Sequence, residues 1–155
     1  MEVRMVSTMD DLRLIYEVDV DSFGQPMPSE QFQRADEEEL TRQVALGEAR
    51  DSFRMLAVVD GRPVGSAGMT LDGPAAKLWG GGVIAEYRGR GVYRALLQAR
   101  LEAAASRGAT IALVKARAGT SAPILSRAGF RSYGREIHWQ LEVVDVAGSA
   151  QRSLA

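Results

Sequence analysis

The chain has no cysteine, which rules out disulfides, thiolate metal sites and a cysteine nucleophile together. Its one histidine, His138, leaves any metal site to be built from carboxylates. No group of Asp and Glu has suitable ligand spacing, so no metal is expected. No apolar run approaches the ~20 residues of a membrane span, and the N-terminus MEVRMVSTMDD carries charge where a signal peptide has its apolar core. The expectation is a cytoplasmic protein without a membrane partner. Lysine is scarce, with Lys77 and Lys115 alone among 19 basic residues. The net charge of −1 argues against broad nucleic-acid binding, although Arg88 to Arg94 form a local basic patch suited to a small phosphorylated ligand. Two common phosphate loops are also missing. There is no GxxxxGK followed by Ser or Thr, and a dinucleotide fingerprint starting at Gly89 would need Gly or Ala where Arg94 stands.

What is present fits a soluble globular chain. With 155 residues, 46% hydrophobic and 25% charged, one domain over 1–146 is expected, followed by an aperiodic flexible tail over 147–155. The stretch from Leu78 to Gly108 reads as an apolar strand, a glycine-arginine turn and a long amphipathic helix. In that helix Val92, Leu96, Ala99 and Ala103 recur at helical spacing, with Leu97, Leu101 and Ala104 beside them, while Arg94, Gln98 and Glu102 face outward. Ser106 to Gly108 supply a stop.

A helix start leaves backbone N–H groups without partners, and these are usually capped by Ser, Thr, Asp or Asn. None stands between Glu86 and Val92. Gly89 and Gly91 lack a Cβ, and the helix dipole with Arg88, Arg90 and Arg94 adds positive potential. An external anion such as a phosphate would complete the cap. The alternative is that Gly91 caps the helix, water fills the other sites and the arginines form a solvated face.

Elsewhere, Glu2 to Ser7 predicts a first strand, and Thr8 with Asp11 a capping box opening a helix through about Val20. Gly24, Pro26 and Pro28 break it. Phe23 and Met27 either tuck onto the core as a lid or wall a binding site. Ser29 can cap a second helix to about Gly47, whose acidic run Asp36 to Glu39 reads as a solvated face or as a lure for a cationic amine. Phe53–Val59 and Pro63–Leu71 predict a hairpin about Asp60-Gly61. Gly80-Gly81-Gly82 inside a strand calls for a bulge, the close approach of another backbone or ligand, or a kink against Trp79. Ala109 to Lys115 predicts a central strand covered on both faces. Alternation from Glu136 to Val143 predicts a half-buried strand.

The stretch VIAEYRGRGVYRALL resembles motif A of the GNAT family of acyl-CoA N-acyltransferases, with Arg88 and Gly91 at the pattern's positions and Tyr93 where a small residue is usual. SAPILSRAGF, Ser121 to Phe130, is similar to motif B, a short helix closed by Gly-Phe. Thr120 or Ser121 can cap it, and Gly129 ends it. Leu125 stands where many members carry the Tyr that protonates the leaving thiolate, so no general acid carries over.

The resemblance implies an α/β (α+β) fold, a mixed, mostly antiparallel central sheet flanked by helices on both faces. It implies acetyl-CoA as co-substrate, its pyrophosphate on Arg88, Gly89, Arg90, Gly91, Val92 and Tyr93, its pantetheine along Gly81, Gly82 and Val83, and Ser121 beside it. The Val83 amide is the implied oxyanion donor for direct attack by a primary amine of a small-molecule or peptide acceptor. That acceptor is placed among Phe23, Met27, Trp79 and Tyr133. Candidate bases are Glu86 and His138, with Glu136, Tyr133 and ordered water equally open. A homodimer stays open. Two rivals do too: an acyl-CoA-binding regulatory module without turnover, and a phosphate-binding adaptor unrelated to CoA.

Overall fold

The computed structural model describes residues 1–139 and 141. Five strands, β1 (Glu2–Met5), β2 (Ser52–Val59), β3 (Arg62–Asp72), β4 (Ala75–Val83) and β5 (Ile111–Val114), lie side by side in chain order. The first three pairings are antiparallel and β4 with β5 is parallel, giving the expected mixed sheet. The Asp60-Gly61 turn has positive φ at both residues, 50° and 79°, as the twist of a two-residue hairpin demands.

The α-helices among the described residues are α1 (Met9–Phe23), α2 (Glu30–Ala45), α3 (Val92–Ala105) and α4 (Ser121–Arg127), with short 3-10 turns at Gly47–Ala49 and Ala85–Tyr87. A Cβ at Gly82 would meet Phe23 and Ser22 of α1, and one at Gly81 would meet Tyr93 and Arg100 of α3. Successive strand residues face opposite ways, so α1 and α3 cover opposite faces. Leu12, Ile15 and Val18 bury one stripe of α1, and Val92, Leu96 and Leu97 one stripe of α3. Among the described residues no helix is long and apolar enough to cross a membrane.

Several expectations are corrected. Half of the capping box forms: Thr8 Oγ1 accepts from the Asp11 amide at 3.1 Å, but Asp11 is turned to Arg4 at 2.8 Å instead of reaching back. Asp36 leaves the solvated acidic run and is half-buried against β2, because Arg54 offers a bidentate partner at 2.6 and 2.7 Å. β5 lies at the end of the described sheet rather than in its middle, so Ile111 and Leu113 stay 52% and 47% exposed. Within 136–143, the residues from Glu136 to Trp139 form no strand, since an alternating pattern becomes a strand only beside a partner, and Trp139 is 91% exposed. Gln140, Glu142, Val143 and the tail over 147–155 lie outside the described residues.

Candidate functional site

At the corner into α3, Gly91 occupies the N-cap position. Gly89 and Gly91 sit at φ 75° and 82°, where residues with a Cβ pay a steric cost. No side chain caps α3. The amides at the helix start therefore point outward with the positive end of the dipole behind them. Arg88 turns away from the opening: its Nε donates to Val83 O at 3.0 Å and its Nη2 to Ser22 O at 3.2 Å, pinning the end of β4 to the end of α1. Arg90 stacks on Tyr87 at 5.0 Å.

Beside this corner β4 has an open edge. The β4–β5 ladder ends at Leu78 with Val114, whereas β4 runs on to Val83. The Ile84 amide donates to Val64 O at 3.0 Å. By strand alternation the Val83 N–H faces the opposite edge, away from β3. The three glycines are resolved as a bulge: Ser66 pairs with Gly82 and Gly68 with Trp79, so β4 carries one residue more, with Gly80 at φ 57°. Gly68 makes room for the Trp79 ring, which a Cβ there would overlap at 2.2 Å.

A cavity of about 230 Å³ opens between α1, the loop after it and the Trp79 face of the sheet. Ile15, Tyr16, Asp19, Phe23, Phe32, Arg54, Ser66, Trp79 and Gly80 are among its walls. Asp19 accepts a hydrogen bond from Ser66 Oγ. Burial pushes its carboxyl above the usual range, with Ser66 and Arg54 pulling the other way. Burial and the 2.8 Å bond to Asp36 raise the Tyr16 phenol beyond its ordinary range.

Of the residues read from the sequence, Phe23 and Trp79 line this cavity together, while Met27 and the 91% exposed Tyr133 do not. Glu86 is exposed and paired with Arg62 at 2.8 Å. His138 is exposed near Glu136 at 3.4 Å, and Glu136 pairs with Lys115 at 2.8 Å. Ser121 Oγ accepts from the Arg117 amide at 3.0 Å and so fastens the loop before α4. Asp19, Ser66, Arg54 and Arg100 were not read as site residues. Only the spacing of Asp19 and Phe23, one turn apart on α1, carried any signal.

Leu125 is 3% exposed and packs with Phe53, Leu78, Leu97 and Ala104. Leu125→Tyr is therefore expected to lower stability by about 1–3 kcal/mol through overpacking, read as an earlier urea midpoint, with no gain in rate.

No curated protein matches the chain in sequence. The structure is similar to an acetyltransferase of Trypanosoma brucei, with 21% identity, 90% of this chain and 99% of that one covered, and a TM-score of 0.71. It is also similar to the aminoglycoside acetyltransferase AAC(6')-Iy in complex with a CoA bisubstrate analog, at 19% identity, 92% and 98% coverage and a TM-score of 0.72. Glucosamine-6-phosphate N-acetyltransferase of Arabidopsis thaliana gives 10% identity, 92% and 100% coverage and a TM-score of 0.70. At such identities the likeness is one of fold. The acetyltransferase (GNAT) family model matches residues 12–130, a span holding the open β4 edge, the uncapped corner and α4, and the chain belongs to that family.

Proposed function

We propose that this protein transfers an acetyl group from acetyl-CoA to the primary amine of a small-molecule acceptor by direct attack. The observation that carries the reading is the juxtaposition of two features: an α3 start without a side-chain cap, and a β4 edge that outruns its partner strand by the five residues from Trp79 to Val83. The donors there match what the coenzyme presents. Amides from Gly89 to Tyr93 suit a diphosphate, and an open strand edge at Gly81 to Val83 suits the amides of a pantetheine arm. In this reading Arg88 acts through its side chain as a brace for the corner, and through its neighbours' amides as part of the anion site. The Val83 N–H, turned to the open edge, is placed to donate to the oxyanion as the amine adds to the thioester carbonyl. Because the thiolate is a stable leaving group at about pKa 8.5, no side chain is needed at Leu125 to protonate it.

Titration with CoA and with acetyl-CoA tests the reading. Ligand at about a hundred times its dissociation constant adds about 2.7 kcal/mol, a rise in melting temperature of roughly 5–10 °C for a chain of this size. Release of CoA thiol with an amine panel then follows turnover. An unchanged melting temperature with both coenzymes, alongside a rise with inorganic polyphosphate, would replace this reading with an anion-binding adaptor.

A further inference from the structure

The cavity carries one carboxylate, Asp19, that has no direct ion-pair partner among the described residues. Among the described residues Arg54 is the only cation in its walls, and both of its terminal nitrogens are taken by Asp36. Tyr16 is committed to Asp36 as well. Among the described residues Asp19 has no ion-pair partner, and the Ser66 hydroxyl is its single hydrogen-bond donor. The groups around it are Tyr16 on its own helix, Asp36 from α2, and Arg54 and Ser66 from the sheet; Asp36 and Arg54 cancel as a pair, so the charge left over is that of Asp19. A half-buried carboxylate in that company lacks a cation.

The other walls are apolar and aromatic, Phe23, Phe32 and Trp79 foremost. Arg54 already lies over the Trp79 ring at 5.6 Å, so the Phe23 and Phe32 faces are the ones that suit a cation and its hydrocarbon body. The volume of about 230 Å³ is below the roughly 300–1,000 Å³ of drug-sized sites, room for about eight waters at ~30 Å³ each. A compact amine fits inside it, whereas a longer ligand would extend beyond its mouth, and a phosphate seated within it would face Asp19. Asp19, Ser22 and Phe23 share one side of α1, and Ser22 and Phe23 lie directly against Gly82 of β4. Ser22 Oγ is buried without a hydrogen-bond partner among the described residues.

We propose that Asp19 receives the acceptor's ammonium group and takes its proton, and that the acceptor is a compact monocationic amine with an aromatic or aliphatic body. This rests on the acetyl-transfer reading above. The ammonium gives one proton to the Asp19 carboxylate. The freed lone pair forms the C–N bond at the thioester carbonyl, and the C–S bond breaks with its electron pair on sulfur. The nitrogen's second proton goes to that thiolate, and Asp19 returns its own to solvent. The raised carboxyl of Asp19 serves this exchange.

The test is calorimetric titration of the CoA-loaded protein with 2-phenylethylamine, neamine and glucosamine 6-phosphate. Phenylethylamine is expected to bind about tenfold or more tighter than the other two. Asp19→Asn should weaken it by about 30-fold or more, the usual result of truncating a desolvated charge pair, with CoA affinity unchanged. Because ionising Asp19 costs stability once pH exceeds its raised folded value, Asp19→Asn should melt no lower than the parent at pH 7. Preference for neamine or glucosamine 6-phosphate, binding of none of the three, or indifference to Asp19→Asn overturns the proposal. CoA binding that stays normal in those cases leaves the acetyl-transfer reading standing, whereas absent CoA binding removes both.

Discussion

Gly91→Glu is expected to abolish coenzyme binding while the protein still folds. Two effects act on the ligand. The new carboxylate stands at the start of α3, where the outward amides and the dipole favour a diphosphate, and it competes for those donors while repelling the ligand's charge. Losing two charge-assisted hydrogen bonds at about 1.5–3 kcal/mol each amounts to a fall in affinity of roughly 100-fold or more. The effect on the fold is smaller. A Cβ at Gly91 meets nothing within 4 Å, and the φ of 82° strains an L residue by about 1–2 kcal/mol. Gly91→Ala carries the same strain without the charge, so it separates the two terms. Calorimetric titration with CoA, read beside the melting temperature, checks the result. A folded Gly91→Glu protein with parental affinity would remove the corner from the coenzyme site.

Arg100→Ala is expected to lower stability by about 3 kcal/mol or more. Arg100 is 1% exposed inside α3, and burial pulls its guanidinium below the usual value. Its Nη1 donates to Gly68 O at 3.2 Å and Trp79 O at 3.4 Å, and its Nε to Leu96 O at 3.2 Å. Gly68 and Trp79 are the pair at which the β3–β4 register resumes after the bulge. The arginine thus satisfies carbonyls that the bulge disturbs. Truncation strands those acceptors, at about 1–3 kcal/mol each, and opens a cavity. The relief of a buried cation works in the other direction, which keeps the sum near the lower end. At roughly 2–4 °C per kcal/mol, the melting temperature should fall by about 6–12 °C. Arg100→Met restores much of the volume without the donors and should recover only part of the loss. Full recovery would show that packing alone, not the bulge, is what Arg100 supports.

The two variants mark what could be read from residue order. The α3 corner was legible because its signals are close in sequence: Gly89 and Gly91 set the turn, and the lack of any capping side chain from Glu86 to Val92 leaves the amides open. Arg100 was not. It falls in the same stripe as Val92 and Leu96, yet an arginine in that register reads as surface until the bulge carbonyls it reaches, 21 and 32 residues away, are in place. The acceptor cavity was half legible. Phe23 and Trp79 drew attention as large apolar residues at a loop and a glycine run, whereas Asp19 meets Ser66 across 47 residues. Asp36 looked like one of four solvated acids until Arg54 of β2 stood beside it.

By itself the sequence determined the mixed α/β class, the Asp60-Gly61 hairpin, the glycine corner into α3, the Gly-closed α4 and, through the last two, the family. Each depends on dihedral preference, capping or hydrophobic period, forces that act within a few residues. Tertiary structure alone decided which carboxylate is buried beside an aromatic wall, which arginine is spent on another acid, and that β5 lies at the end of the described sheet. Those outcomes depend on desolvation and on partners brought from distant strands, and neither exists for a side chain until the sheet and its two helical layers have closed around it.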